Sequence, residues 1–156
     1  MQLNASTCYA MQIVLYLARS KRIVSSTELS ENLNISQRYI LQFTGKLRDG
    51  GIICTHAGVG GGFTLNMDTA DISAYDVITL MEGDLSIPAC MERLSCSGEP
   101  CVKTNLLDTL SHMNEYIESY LRTITFDKLT ILDTNGRLPE TLDMVRVHID
   151  EIKQQA

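Results

Sequence analysis

Between residues 6 and 19 the apolar positions Ala10, Ile13, Val14, Leu17 and Ala18 recur at three and four, the spacing of one face of an α-helix. Ser25 followed by Glu28 has the pattern of a capping box and predicts a short second helix to about Leu33. Asn34-Ile35-Ser36 then reads as a turn, with Ser36 the N-cap of a third helix to about Asp49. The buried face of that helix would be Tyr39, Ile40, Phe43 and Leu47. Gly50-Gly51 ends it, because glycine accepts the left-handed backbone in which helices terminate. The period then shortens. Residues 52–56 predict a strand and 62–66 its hairpin partner, with the glycine-rich tip 57–61 between them. Ser73 and Asp76 form a second capping box, opening a helix through Val77, Ile78, Leu80 and Met81.

Periodicity fades over the following twenty residues, which hold Pro88, Gly98, Pro100 and three of the five cysteines. It returns over residues 104–124, where Leu107, Leu110, Met113 (or Asn114), Ile117, Leu121 and Ile124 make one long stripe. The stripe could serve a core within one chain, but a lone helix of that length more often packs on a second copy of itself. Pro139 stands well at the first position of a last helix carrying Leu142, Val145, Ile149 and Ile152 along one face.

A short helix, a tight turn, a longer helix and a two-stranded hairpin follow the order of a winged helix-turn-helix. The expected fold is therefore mainly α with a small β-hairpin, plus a long dimerisation helix. Residues 1–83 would form the DNA-binding domain, 84–103 a cysteine loop, 104–134 the dimerisation region and 135–156 a helical extension. In such a fold the third helix enters the major groove with its N-terminal side chains against base edges. Here those are Ser36, Gln37, Arg38, Tyr39 and, one turn later, Gln42. Arginine suits guanine and glutamine suits adenine in two-pronged hydrogen bonding. Lys46, Arg48 and His56 are placed for phosphates, and Gly58, Gly60 and Gly61 let the hairpin tip approach a groove closely.

The overall net charge of -6 in 156 residues argues against nucleic acid until the chain is divided. Residues 1–60 hold six basic side chains (Arg19, Lys21, Arg22, Arg38, Lys46, Arg48) against three acidic ones (Glu28, Glu31, Asp49), a net of +3, so the remainder carries -9. A local basic surface is enough to meet phosphates, although uneven surface charge alone would look the same. Composition is that of an ordinary globular domain, 44% hydrophobic and 21% charged. No stretch approaches the eighteen apolar residues of a membrane span, and the apolar run 10–18 lacks the flanks of a secretory signal, so a cytoplasmic protein is expected.

Five cysteines, an odd number, argue against a disulfide framework. Cys90, Cys96 and Cys101 lie within twelve residues among Ser, Gly and Pro, at spacings of five and four intervening residues. Soft thiolates so grouped suit an iron–sulfur cluster, 2Fe–2S or 4Fe–4S, or else zinc, and the spacing is not that of a ferredoxin. Incidental thiols remain the plain alternative. Cys54, in the first strand, reads as core, whereas Cys8 opens the first helix as a soft donor or a small buried residue.

Three groups of residues together carry a family resemblance. They are Ile35-Ser36-Gln37-Arg38-Tyr39-Ile40, Lys46-Leu47-Arg48-Asp49-Gly50-Gly51-Ile52 and Gly58-Val59-Gly60-Gly61-Gly62-Phe63. With Ile72-Ser73-Ala74-Tyr75-Asp76-Val77-Ile78 and Met81-Glu82-Gly83, they resemble the iron–sulfur-binding branch of the IscR/NsrR/CymR family of winged-helix bacterial transcription regulators. The resemblance spans residues 1–133. Val59 stands where the family usually has proline, Phe63 where it has tyrosine, Ala57 where many members have a wing arginine, and Leu41 where some have glutamate.

The resemblance implies a cluster held by Cys90, Cys96 and Cys101, the second spacing being one residue shorter than the commonest form. The fourth ligand comes in some members from the partner subunit at the place of Cys8, and in others from a histidine shortly after the third cysteine. Here the next histidine is His112, so Cys8 is what the resemblance leads one to expect. It implies a homodimer on a double-stranded operator, a repressor or related regulator sensing iron–sulfur status, redox state or nitric oxide. A zinc-stabilised or cluster-free thiol regulator of the same fold is the alternative. An enzyme is not expected: there is no suggestive Cys–His spacing, and the glycine-rich tip leads into a strand rather than the helix a phosphate site needs.

Overall fold

The computed structural model describes residues 3–83 and 105–130, with the backbone alone for 105–108. Its first helix, α1 (Ala5–Ser20), buries the stripe Ala10, Ile13, Val14, Leu17 and Ala18. It ends at Lys21, whose backbone is left-handed (φ 50°) and whose N–H donates to the Leu17 carbonyl. Helix α2 (Ser26–Leu33) is capped by Ser25, whose hydroxyl accepts the Glu28 N–H at 3.1 Å. The reciprocal half of that capping box is not made. The Glu28 carboxylate instead accepts two bonds from Arg22, at 2.9 and 2.6 Å, and one from the Tyr16 hydroxyl at 3.0 Å. The Arg22 guanidinium holds the Glu28 carboxyl below its ordinary range.

Asn34, left-handed at φ 53°, turns the chain into α3 (Gln37–Asp49). Ser36 occupies the N-cap position, yet its side chain makes no capping hydrogen bond. The buried face is Ile40, Phe43, Thr44 and Leu47. Thr44 is tolerated there because its hydroxyl donates back to the Ile40 carbonyl at 2.8 Å. Tyr39, expected on this face, is 53% exposed. At about 100° per residue it sits at the edge of the Ile40–Leu47 stripe, and its ring stacks on Phe43 rather than entering the core.

Strands β1 (Ile53–His56) and β2 (Gly62–Leu65) pair antiparallel, Ile53 opposite Leu65 and His56 opposite Gly62. Val24 adds one further bridge to Phe63, with N–H to carbonyl bonds of 3.0 and 2.9 Å in the two directions. The hairpin is thereby tied to the link before α2. Gly62 passes so close to Val24 that any Cβ there would strike the Val24 carbonyl. Helix α4 (Ala74–Glu82) starts with the complete Ser73/Asp76 capping box. The long helix α5 (Asn105–Thr123) rests on α4, with the Arg122 guanidinium 3.6 Å above the Tyr75 ring.

The last described helix, α6 (Phe126–Thr130), is short and has no counterpart in the sequence reading. The chain enters it through a bridge between Ser73 and Thr125 and a 2.9 Å bond from the Phe126 N–H to the Ile72 carbonyl. Phe126 is fully buried, sharing one core with Ile13, Val14, Leu29, Ile40, Leu47, Ile53 and Val77. The result is the expected class: a mainly helical winged helix-turn-helix with a two-stranded wing. The cysteine loop and the expected helix from Pro139 onward lie outside the described residues.

Candidate nucleic-acid interface

A helix that buries Ile40, Phe43, Thr44 and Leu47 must turn the opposite side outward. On α3 that side is Arg38, Leu41, Gln42, Gly45 and Asp49, with Arg48 along one edge and Tyr39 and Lys46 along the other. Arg38, Gln42, Lys46 and Arg48 are all exposed, as the sequence pattern predicted. Arg48 is held in place by Asp49, which accepts at 3.0 and 2.7 Å. Both partners are more than half exposed, so this pair contributes little to stability and leaves the guanidinium free to exchange for a phosphate.

Gln37 has a different situation. Its amide nitrogen donates to the Ser26 hydroxyl at 3.0 Å and approaches that of Thr27 at 3.4 Å, linking the first turn of α3 to the first turn of α2. The wing carries His56 on its exposed side, hydrogen-bonded across the hairpin to Thr64 at 2.9 Å. The tip turns through left-handed Gly58 and Gly60, and Val59 stands fully exposed between them. No charged side chain is present between Ala57 and Gly62.

The first turn of α1 is clamped from the end of α4. The Glu82 carboxylate accepts the Asn4 backbone N–H at 2.7 Å, the Asn4 amide at 2.5 Å and the Thr7 hydroxyl. These bonds, that from Thr7 foremost, hold the Glu82 carboxyl below its ordinary range. A carboxylate there also satisfies one N–H that a helix start leaves unpaired, that of Asn4, and complements the helix dipole. Cys8, in this same turn, is an exposed free thiol. Next to it Tyr9 stacks on Phe43 at 6.0 Å, and Phe43 in turn on Tyr39 at 5.9 Å. Cys54, read as core, is only half-buried; its thiol donates to Asn66 at 2.8 Å.

Among the described residues no group of three or more His, Cys, Asp or Glu could hold a metal ion. Cys90, Cys96 and Cys101 lie outside those residues. Sequence reasoning left Leu41, Gly45 and Glu82 out of the site. The first two were readable from the helical wheel as the reverse of the buried stripe; the Glu82 contact, across 78 positions, was not.

Residues 3–131 match the family described as Rrf2, iron-dependent transcriptional regulator. The regulator IscR of Klebsiella pneumoniae is 29% identical over 144 residues, 88% of this chain and 86% of its own length. IscR of Escherichia coli is 28% identical over 158 residues, 97% of this chain and 95% of its own. Among solved structures, CymR, the global cysteine regulator of B. subtilis, superposes with a TM-score of 0.69 at 20% identity, over 83% of this chain and 96% of that one. At that identity the likeness is one of fold.

Proposed function

The chain belongs to the Rrf2 family of transcriptional regulators, and on that premise we propose a homodimeric, DNA-binding regulator whose hold on its operator is set by an iron–sulfur cluster. The observation that carries the DNA half is the outward face of α3, where Arg38, Gln42, Lys46 and Arg48 are exposed together beside the wing. In this reading Ser36, Arg38, Tyr39 and Gln42 meet base edges, and Gln37 braces α3 against α2. Lys46, Arg48 and His56 meet phosphates, and Gly58, Gly60 and Gly61 let the tip approach the backbone.

Dimerisation through α5 is supported by its stripe. Leu110, Ile117 and Leu121 are only half-buried within one chain, and Met113 and Tyr116 are exposed. A two-fold dimer then calls for an inverted-repeat operator.

Cys90, Cys96 and Cys101 would hold the cluster, with Cys8 of the opposite subunit as fourth ligand. The donor chemistry fits, four soft thiolates, and so does the position of Cys8. Glu82 fastens the turn that bears it, and the thiol is exposed there, open to a loop from a second chain. When bound, a cluster would supply an oxidation-sensitive crosslink between the loop of one subunit and the DNA-binding head of the other. The chain's own part is to hold Cys8 at a clamped helix start, and to pass any displacement of that start to α3 through Tyr9 and Phe43.

The test is anaerobic purification followed by visible absorption and iron and sulfide analysis. A brown protein is expected; a colourless one with stoichiometric zinc would replace the cluster by the structural-metal alternative. Cys8→Ser should leave the dimer folded and make the chromophore labile or absent, with Cys54→Ser unchanged. A heterodimer of Cys8→Ala with a Cys90, Cys96 and Cys101→Ala chain should keep one site, and loss of both would place all ligands in one subunit.

A further inference from the structure

Leu41 is 54% exposed at the middle of a helix whose other outward residues, apart from Tyr39 at one edge and Gly45, are polar. A single exposed leucine needs no explanation, and here a second feature supplies one. One turn further along the same face lies Gly45, the ninth of the thirteen residues of α3. A Cβ built there would meet nothing within 4 Å, so no contact inside the chain requires glycine. Glycine inside a helix is unfavourable, and its use here opens a notch beside the Leu41 side chain with Arg38 on the other side. The three lie on one track of the helix, at steps of three and four residues.

What seats on this track must be anionic around an apolar spot. Arg38 and Arg48 lie on the same track and Lys46 on the far edge, all exposed, and Asp49, paired with Arg48, offsets only one of them. An apolar protein surface would therefore bury net positive charge, whereas a nucleic-acid duplex would match it. The major groove offers one strongly apolar group, the 5-methyl of thymine, beside the O4 acceptor. A notch at Gly45 brings the helix backbone nearer the base edges and sets the Leu41 δ-methyl groups at that depth.

We propose that Leu41 is a specificity-determining residue that packs on the 5-methyl group of a thymine in the operator, the close approach being permitted by Gly45. The proposal rests on the DNA-binding reading above and adds the base class that this position selects.

The experiment uses the full-length protein as purified. Duplexes are selected from a random pool, and in the best-bound duplex each thymine is replaced in turn by deoxyuridine, which removes only the methyl group. One thymine per half-site should lose about fourfold in affinity, the factor expected for one buried methyl. In Leu41→Ala, checked for fold by circular dichroism, the same replacement should have no effect, while the penalty for mutating the base pair facing Arg38 should persist. A 5-methylcytosine presents the same methyl, so at that position a 5-methylcytosine–guanine pair should bind about fourfold tighter than the unmethylated pair in wild type and no tighter in Leu41→Ala. Methyl removal that costs the same in wild type and Leu41→Ala, or costs nothing at any thymine, would overturn the proposal and leave DNA binding standing. Failure to retain any duplex over competitor DNA would overturn the DNA-binding reading and this proposal with it.

Discussion

Replacing Gly45 by alanine separates what α3 needs in order to fold from what it needs in order to dock. The position is interior to the helix, and a Cβ there meets no atom within 4 Å, so no clash offsets the gain in helix propensity. Glycine is about 0.8–1.0 kcal/mol less favourable than alanine at such a position, so Gly45→Ala should stabilise the free protein by about 1 kcal/mol. In a chain of this size that raises the thermal midpoint by roughly 2–4 °C. The added methyl fills the notch on the face assigned to DNA, and affinity should fall by about tenfold, ~1.4 kcal/mol. Thermal unfolding by circular dichroism and fluorescence-anisotropy titration of a selected duplex, both on the full chain, measure the two sides. A stabilised variant with undiminished affinity would show that this face of α3 does not approach DNA closely. A variant no more stable than wild type would refute the helix argument itself.

Phe126→Ala empties a fully buried site where α6 packs on α1, and denaturant unfolding should show a loss of about 3–5 kcal/mol. Gly62→Ala drives a methyl into the Val24 carbonyl, so the wing should detach and the chain lose about 1–3 kcal/mol, visible as early amide exchange at Phe63 and Val24. The Glu82 clamp predicts a pH dependence. Its folded carboxyl lies below the ordinary value, so its stabilisation is complete above that value and disappears as pH falls through the lowered one. Glu82→Gln should flatten this acid limb of the stability curve, and an unchanged slope would mean that the clamp contributes nothing.

Much of this architecture is local, and local patterns carry it. The apolar spacing of α1, the Ser73/Asp76 cap, the Gly50-Gly51 stop and the change of period at the wing each depend on residues within a few positions of one another. They are therefore written in the chain. The outward set Arg38, Gln42, Lys46 and Arg48 follows from the same periodicity, because whatever is opposite a buried stripe faces out. Partners far apart in sequence were decided only on folding. Glu28 has the sequence position to close a capping box, yet Arg22 and Tyr16, brought beside it by packing α1 on α2, take its carboxylate. Glu82 finds Asn4 and Thr7 across the whole winged-helix unit. Tyr39 belongs by spacing to the margin of the buried stripe, and Phe43 captures its ring outside the core. Phe126, in a helix too short to show a period, becomes a core residue because Ser73 bridges Thr125 before it, Ile72 accepts its own N–H and Thr69 accepts that of Asp127 after it. Periodicity reports which way a side chain points; the hydrogen-bond partner it finds there depends on which element the tertiary fold sets opposite.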